Sequence, residues 1–488
     1  MGLSSASIFF VGLCAPTMAS QQEVDFTGTW SGALTLPFDP KPLNIRFALK
    51  ESDEGVWIGA FDADLFGPGL MSGTRSKDDL LLDCDLGGSI SKFHLSPSDS
   101  GIQGVFQYSG FPLAISFERE SEEWSPDLQI EVELPSTLPR TVTQPGLEDF
   151  WLEEIEPLIV NQLERDKIVG LAMALVIDGE LYDVRSWGWS DLANGEQLGA
   201  ETVFRWASIS KAITGVVAAK LALADQIDLD ADVRLLVPEF PKKESVVSTR
   251  LLLGHLGGIV HYGHMPQVTR TDYGVDYPFR DPVRAIDMFK SSKLIHEPGS
   301  QYSYSTHGFV LAGAALERCS ERGFLGEVGR LIREPLGMES FEADDPTQRN
   351  SQRTTGYRVT SDGRVFESGD TDVSWKLAGG GFQSNVQDLA HFAVGLCDED
   401  YLSVEERELL WTSQKTESGE ETGYGLGFRV ATENGHFAVF HGGAQRRTAT
   451  YLLAFPDEGI AIALMCNTEG VGLAGLAKGI SKIIFGEE

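Results

Sequence analysis

A serine followed one helical turn later by a lysine, at the start of an apolar segment, constrains this chain most. The segment is Ser-Ile-Ser-Lys at residues 208–211, and the apolar run of residues 212–219 after it predicts a buried helix. Ser208 and Lys211 then share one face of the helix start. Free N–H groups favour negative charge there, and a lysine kept neutral by burial and cationic neighbours can accept the serine proton. The pattern predicts an activated serine nucleophile.

The same tetrapeptide occurs at residues 89–92, so the motif alone has little specificity. That copy follows two glycines and leads into a segment with strand character, residues 93–95. Because no helix aligns the serine with the lysine there, we interpret Ser89 as structural.

Two further segments carry residues that could act together with an activated serine. Tyr304 lies in a polar, aromatic loop that runs into a predicted helix at residues 310–316. A tyrosine in such a loop can transfer a proton if nearby cations lower its pKa, but for Tyr304 taken alone an ordinary loop tyrosine is the better explanation. A His-Gly-Gly-Ala segment at residues 441–444 precedes a predicted strand at residues 448–455. Its glycines let a strand edge approach a substrate closely, and a plain hairpin turn is the alternative.

Together these motifs resemble the serine β-lactamase and penicillin-binding protein superfamily, and more narrowly its class C-like, esterase-like and mitochondrial β-lactamase-like branch. The S-x-x-K arrangement is its nucleophile motif. Supporting matches occur in order along the chain, at residues 251–262, 379–384, 424–428 and 455–459.

The resemblance implies a role for each matching residue. Ser208 would be the acylated nucleophile, and Lys211 would accept its proton. Tyr304 would pass a proton to the leaving group and later activate water. His441 stands where relatives have the lysine of Lys-Thr-Gly. The backbone N–H groups of Ser208 and Ala444 would form the oxyanion hole, and Gly442, Gly443 and His255 would line the pocket.

Three departures from the family pattern concern substrate binding. The family's Tyr-x-Asn is Tyr304-Ser305-Thr306 here, and threonine cannot replace the two-ended amide. His441 carries a less reliable positive charge than lysine at neutral pH. Arg446 and Arg447 follow, where relatives have small residues. These arginines either supply the missing charge or form a solvated turn.

Composition limits the partners of the chain. Its 488 residues carry a net charge of −33, which argues against nucleic acid and anionic membranes as partners. No apolar stretch is long enough for stable membrane insertion. The cysteines have no metal or disulfide spacing, and His255, His261 and His264 lack nearby carboxylates. We therefore predict no metal and no cofactor, and a small-molecule or peptide substrate.

The chain divides into four segments. Residues 1–20 resemble a signal peptide without a basic start, which predicts export to the periplasm or exterior. Residues 24–120 alternate in hydrophobicity, which predicts an all-β barrel or sandwich; their opening loosely resembles lipocalin-like domains. Such a barrel either binds a lipid-like ligand or is filled and structural. Proline-rich residues 121–146 predict a linker, and residues 147–486 form the hydrolase domain.

Within residues 147–486, strands near both ends enclose a largely helical middle. This order predicts an α+β domain, with one antiparallel sheet flanked by helices. The sequence thus predicts an exported serine hydrolase that acts through an acyl-enzyme on small esters, amides or peptides. A β-lactamase or penicillin-binding D-amino-acid peptidase is the first alternative. A catalytically inactive binding protein, with the β domain as its working part, is the second.

Overall fold

The computed structural model describes residues 25–36, 39–52, 55–63, 69–77, 79–85, 90–98, 101–108, 111–121, 131–262, 281–345, 348, 350–360, 363–369 and 371–486. The predicted signal peptide, Ser89 and His264 lie outside these residues.

The N-terminal part is a closed antiparallel barrel of eight strands, because β1 pairs with both β2 and β8. The predicted all-β domain is therefore a barrel and not a sandwich. Its strands are β1 (Gly28–Leu36), β2 (Asp39–Glu51), β3 (Trp57–Ala63), β4 (Gly69–Ser76), β5 (Asp79–Asp85), β6 (Ile90–Ser98), β7 (Gly101–Tyr108) and β8 (Phe111–Ser121).

Alternating side chains from the barrel strands pack into one buried apolar cluster. Phe47 and Phe117 meet edge to face there, with ring centroids 4.4 Å apart. Such packing favours the interpretation of a filled, structural barrel. The first Ser-Ile-Ser-Lys copy ends on strand β6, where the exposed Lys92 pairs with Asp83 at 3.1 Å.

The remaining strands build a second unit, whose largest sheet has the order β10-β12-β11-β22-β21-β20-β19. The strands after the barrel are β9 (Glu131–Val132), β10 (Arg140–Gln144), β11 (Gly170–Ile177), β12 (Glu180–Asp191), β13 (Glu196–Gln197), β14 (Phe204–Arg205), β15 (Glu342–Ala343), β16 (Tyr357–Val359), β17 (Val365–Glu367), β18 (Phe382–Ser384), β19 (Arg429–Glu433), β20 (His436–Gln445), β21 (Thr448–Phe455) and β22 (Ile460–Cys466).

Helices cover both faces of this sheet. They are α1 (Asp149–Arg165), α2 (Ser210–Leu223), α3 (Thr249–Leu253), α4 (Pro282–Ala285), α5 (Thr306–Cys319), α6 (Gly323–Val328), α7 (Leu377–Gly380), α8 (Val386–Cys397), α9 (Val404–Trp411) and α10 (Ala474–Phe485). One buried apolar cluster joins α1 and α10 to one face, and a larger one joins α2, α5 and α8 to the other. The predicted α+β fold, an antiparallel sheet flanked by helices, is confirmed.

The motif at residues 424–428 does not form a strand. Strand β19 begins at Arg429, because Gly423 and Gly427 adopt positive φ angles that break an extended segment. The alternative of a hairpin turn at residues 441–444 is wrong. These residues belong to β20, and the turn to β21 is at Arg446 and Arg447.

No helix within the described ranges combines the length and the apolar character that crossing a bilayer requires.

Candidate active site

Ser208 lies in a short 3-10 turn, Ala207–Ile209, that leads directly into helix α2. Ala207 has a φ angle of 49°, a left-handed conformation that is costly for a residue with a side chain. Trp206 anchors the turn on two sides. Its N–H donates to the Phe382 carbonyl at 2.8 Å, and its carbonyl accepts from the Thr450 hydroxyl at 2.9 Å. These bonds fix the backbone that carries Ser208.

The hydroxyl of Ser208 is the centre of a compact polar cluster. Its Oγ lies 3.1 Å from Lys211 Nζ and 2.9 Å from the hydroxyl of Tyr304. Lys211 is fully buried, and its Nζ also contacts Thr306 Oγ1 at 3.3 Å and the Gly379 carbonyl oxygen at 2.6 Å. The structure therefore brings together the predicted nucleophile, base and tyrosine, with Thr306 beside the base.

The charge state of Lys211 follows from its surroundings. Burial lowers the pKa of Lys211 well below its ordinary value, and the positive charge of Lys376 lowers it further. A neutral amine has two donors and one lone pair. The donors match Gly379 and Thr306, and the lone pair is then left for the hydroxyl proton of Ser208.

Tyr304 has the opposite proton preference. Burial raises the pKa of its phenol, so the hydroxyl stays protonated at neutral pH and donates to Ser208 Oγ. Protons can then pass along one line, from Tyr304 through Ser208 to Lys211. The cluster can deprotonate the serine on one side and protonate a leaving group on the other.

Sequence reasoning missed the Gly379 carbonyl as a partner of Lys211. Glycine is needed at this position because a Cβ atom would lie 2.9 Å from Thr306 Cγ2 and 3.3 Å from Phe309 Cβ. The glycine run at residues 379–381 was the available signal, but a motif of glycines does not reveal which carbonyl a distant lysine will reach.

His441 is buried and neutral. Burial lowers the pKa of His441 to about 3, and a positive charge on Lys211, whenever that amine holds a proton, acts in the same direction. Its Nδ1 must carry the proton, because it faces the Gly442 carbonyl at 2.7 Å and a carbonyl only accepts. Its Nε2 then accepts from the Tyr424 hydroxyl at 2.9 Å. His441 therefore carries no charge at neutral pH.

The edge of strand β20 lies against the Ser208 turn. Strand β19 pairs with β20 only as far as Phe440, so β19 leaves the residues from His441 onwards uncovered on that edge. At Gly443 the backbone approaches Trp206 and Ala207 directly, and Ala444 follows on the same strand with an exposed side chain. This arrangement is compatible with an oxyanion hole made by the N–H groups of Ser208 and Ala444.

The two arginines after Ala444 form the turn of the hairpin. Arg447 has a φ angle of 71°, its N–H faces Glu469 Oε2 at 3.4 Å, and its guanidinium donates to the Thr354 carbonyl at 3.1 Å. The Arg446 carbonyl lies 3.5 Å from the guanidinium of the buried Arg205. None of these contacts is with the Ser208 cluster.

Arg429, which none of the motifs singled out, is a further positive charge that acts on the residues of the cluster. Arg429 is exposed at the start of β19, with its guanidinium 5.9 Å from the ring centroid of Tyr424. Its positive charge acts on Tyr304, His255 and His441. The sequence gives only a weak indication of Arg429, namely its position directly after the motif at residues 424–428.

His255 and His261 lie against Tyr304, at ring-centroid distances of 4.3 and 5.6 Å. Each accepts a backbone N–H through Nδ1, from Ser305 and Thr306 respectively, at 3.1 Å. Across the described part of the chain, no group of three or more His, Cys, Asp and Glu side chains is arranged to hold a metal ion.

A comparison with protein families bears on this geometry. The family model described as "Beta-lactamase" matches residues 155–479, which contain the whole Ser208 cluster. The chain belongs to the beta-lactamase family. Within this family, the human serine beta-lactamase-like protein LACTB, mitochondrial, is 28% identical over 62% of this chain and 74% of its own length. Protein flp of Staphylococcus aureus strain N315 is 22% identical over 64% of this chain and 63% of its own length.

Solved structures share the fold of this family member. The octameric penicillin-binding protein homologue from Pyrococcus abyssi aligns with a TM-score of 0.61 and 24% identity, over 69% of this chain and 78% of its own. EstCE1, a hydrolase with promiscuous acyltransferase activity, aligns with a TM-score of 0.59 and 18% identity over 69% and 98%. The D-amino acid amidase from Ochrobactrum anthropi SV3, complexed with L-phenylalanine amide, aligns with 0.57 and 20% over 69% and 97%.

Proposed function

We propose that this beta-lactamase-family protein is a serine hydrolase that acts through an acyl-enzyme on small esters, amides or peptides. The observation that carries the proposal is the contact of Ser208 Oγ with both Lys211 Nζ and the Tyr304 hydroxyl, at 3.1 and 2.9 Å. A strained turn, a buried base and a protonated phenol meet at one oxygen, which a purely structural serine does not need.

The reaction proceeds in two balanced steps. In acylation, Ser208 Oγ attacks the substrate carbonyl carbon while its proton passes to neutral Lys211. The N–H groups of Ser208 and Ala444 stabilise the oxyanion. When the tetrahedral intermediate collapses, the bond to the leaving group breaks, and Tyr304 donates a proton to that group and regains one from Lys211. In deacylation, water gives a proton to the same relay and attacks the acyl carbon; when the second tetrahedral intermediate collapses, the bond between the acyl carbon and Ser208 Oγ breaks, the relay returns the proton to Oγ, and the acid leaves.

The substrate preference follows from the charges around the cluster. A β-lactam presents a carboxylate and an amide side chain. In relatives, a lysine binds the carboxylate and an asparagine binds the amide. In this chain we place His441 and Thr306 at those two positions. Because His441 is neutral and Thr306 offers a single hydroxyl, we infer that activated short-chain esters react faster than β-lactams. The proteins that share this fold include a hydrolase with promiscuous acyltransferase activity and a D-amino acid amidase, so the fold is compatible with acyl transfer from small substrates.

Arg429 is the cation that we propose for binding a substrate carboxylate, in place of Arg447. It is exposed, and its charge acts on the residues around Ser208, whereas the guanidinium of Arg447 donates to Thr354. Export remains part of the proposal and rests on residues 1–20 alone.

Active-site labelling tests the proposal. A fluorophosphonate probe should add one phosphonyl group to the protein, and peptide mass spectrometry should locate it on Ser208. Ser208→Ala should lose both labelling and hydrolysis of p-nitrophenyl acetate, whereas Ser89→Ala, in the other copy of the motif, should keep both. Unchanged labelling of Ser208→Ala would refute the nucleophile. The absence of any labelling or turnover would favour a binding protein, and a higher kcat/KM for nitrocefin than for p-nitrophenyl acetate would favour a β-lactamase.

A further inference from the structure

His255 has a backbone conformation and a side-chain environment that are both costly. Its φ angle is 59°, in the left-handed region that residues with a side chain seldom occupy. The residue is 2% exposed, and within the described part of the chain its Nε2 has no hydrogen-bond partner. A strained backbone and an unsatisfied buried donor persist only where surrounding contacts impose them, and such features cluster at functional sites.

The contacts that hold His255 in this strained, buried position are with the backbone on both sides of Tyr304. The His255 carbonyl accepts the N–H of Ser303 at 2.8 Å. The His255 Nδ1 accepts the N–H of Ser305 at 3.1 Å. One residue therefore binds the backbone immediately before and immediately after Tyr304.

The ring of His255 completes this arrangement. It lies against the Tyr304 ring, with centroids 4.3 Å apart and planes tilted by 40°, and on its other sides it meets Phe309 and Tyr424 at 5.1 and 4.6 Å. Since Nδ1 must be unprotonated to accept from Ser305, the neutral ring carries its proton on Nε2. Backbone and ring together restrict both the position and the tilt of the phenol.

We propose that His255 is a positioning residue, which holds the Tyr304 hydroxyl at hydrogen-bond distance from Ser208 by binding the backbone on either side of Tyr304 and packing on its ring. This inference rests on the proposed function, because it assigns His255 no contact with substrate and a role only through Tyr304.

Two substitutions of His255 distinguish the effect of losing its hydrogen-bond acceptor from the effect of its left-handed backbone conformation. Asn and Gly both tolerate the left-handed conformation, but only Asn offers an acceptor near the position of Nδ1. His255→Gly should lower kcat for p-nitrophenyl acetate by about 10²-fold with KM little changed, because small misplacements of a reacting group have effects of that size. His255→Asn should recover most of the loss. In a Tyr304→Phe background, His255→Gly should cost nothing further.

A matched control is His307→Asn. His307 is as buried as His255 and lies on helix α5, three residues after Tyr304, but its Nδ1 contacts the Val260 carbonyl at 2.9 Å. Any effect of this variant on kcat should add to that of Tyr304→Phe. If His255→Gly does not fold, His255→Ala, which also lacks an acceptor, is measured in both backgrounds with the same expected result.

The outcomes distinguish this inference from the proposed function. Additive losses for His255→Gly and Tyr304→Phe, or an Asn variant as slow as the Gly variant, would overturn the positioning role alone. Full kcat in Tyr304→Phe itself would overturn the role of the tyrosine, and this inference with it.

Discussion

Gly443 and Trp206 meet backbone to backbone. A Cβ atom on Gly443 would lie 2.4 Å from the Trp206 carbonyl oxygen and 2.2 Å from Thr450 Oγ1. The neighbouring Gly442 has more room, since its Cβ would first meet the Tyr451 ring at 3.2 Å. Strand β20 can thus approach the Ser208 turn this closely only because residue 443 has no side chain.

Gly443→Ala should therefore lower kcat for p-nitrophenyl acetate by about 10²-fold, by displacing the strand from the nucleophile. Gly442→Ala, one residue away, should have a much smaller effect because an aromatic side chain can shift by a few tenths of an ångström. Steady-state kinetics of the two variants check this pair. Equal losses in both would show that the approach of β20 at Gly443 is not what limits the reaction.

Lys211 should limit stability while it supports catalysis. At pH 7 its amine is charged in the unfolded chain, but burial lowers its pKa in the folded protein. Folding therefore requires either the desolvation of a charged amine or the loss of its proton, and both cost free energy at this pH. Lys211→Met should abolish turnover and, at pH 7, raise Tm. The gain should shrink as pH rises towards the ordinary lysine pKa.

The control for this prediction is Lys220→Met on the same helix. Lys220 donates to the Tyr401 carbonyl at 2.6 Å and pairs with Glu406 at 3.2 Å, so its removal breaks contacts and should not raise Tm. Thermal unfolding followed by circular dichroism compares the two. Lys211→Met also loses the bonds to Gly379 and Thr306, but that loss is the same at every pH, so a difference in Tm between Lys211→Met and the unmodified protein that does not change with pH would contradict the neutral, buried amine.

His441 should give the fold a distinct acid sensitivity. Its pKa falls from 6.5 in the unfolded chain to about 3 in the folded protein. Between these values the unfolded state binds a proton that the folded state does not, so stability is complete above pH 6.5 and declines as pH falls towards 3. His441→Asn should make this decline shallower. Urea midpoints measured from pH 7 to pH 4 test it, and parallel curves for the two proteins would refute it.

We expect Arg429 to favour esters whose acyl chain carries a negative charge. Arg429→Gln is expected to lower kcat/KM about 10-fold for a p-nitrophenyl ester whose acyl chain ends in a carboxylate, the size of one lost charge-assisted hydrogen bond. Activity on p-nitrophenyl acetate should change little. Arg447→Gln is the control, since its guanidinium bonds to Thr354, and it should affect stability without changing this ratio. A selective loss in Arg447→Gln, and none in Arg429→Gln, would reverse the assignment.

Local sequence pattern was sufficient for the elements that carry the site. The strand Thr448–Phe455 follows from a short run of apolar, aromatic and β-branched residues, which is typical of a buried strand and which neighbouring residues determine. The alignment of Ser208 with Lys211 likewise depends on a single helical turn.

Contacts between distant segments could not be predicted in this way. The Gly379 carbonyl reaches Lys211 across 168 positions, and His441 loses its charge because Tyr424 and the surrounding core enclose it. The same holds for His255, whose role depends on residues 50 positions away. Motifs identify which residues can react, whereas tertiary packing decides their protonation and their partners.

The order of strands in the large sheet also governs when the site can form during synthesis. Strand β11 pairs with β22, and next to this pair the N–H of Val169 donates to the hydroxyl of Thr468, 299 positions along the chain. The barrel, in contrast, closes within residues 28–121. During synthesis, the barrel can therefore fold first, whereas the site around Ser208 and Lys211 cannot be completed until strands β19 to β22 have been synthesised.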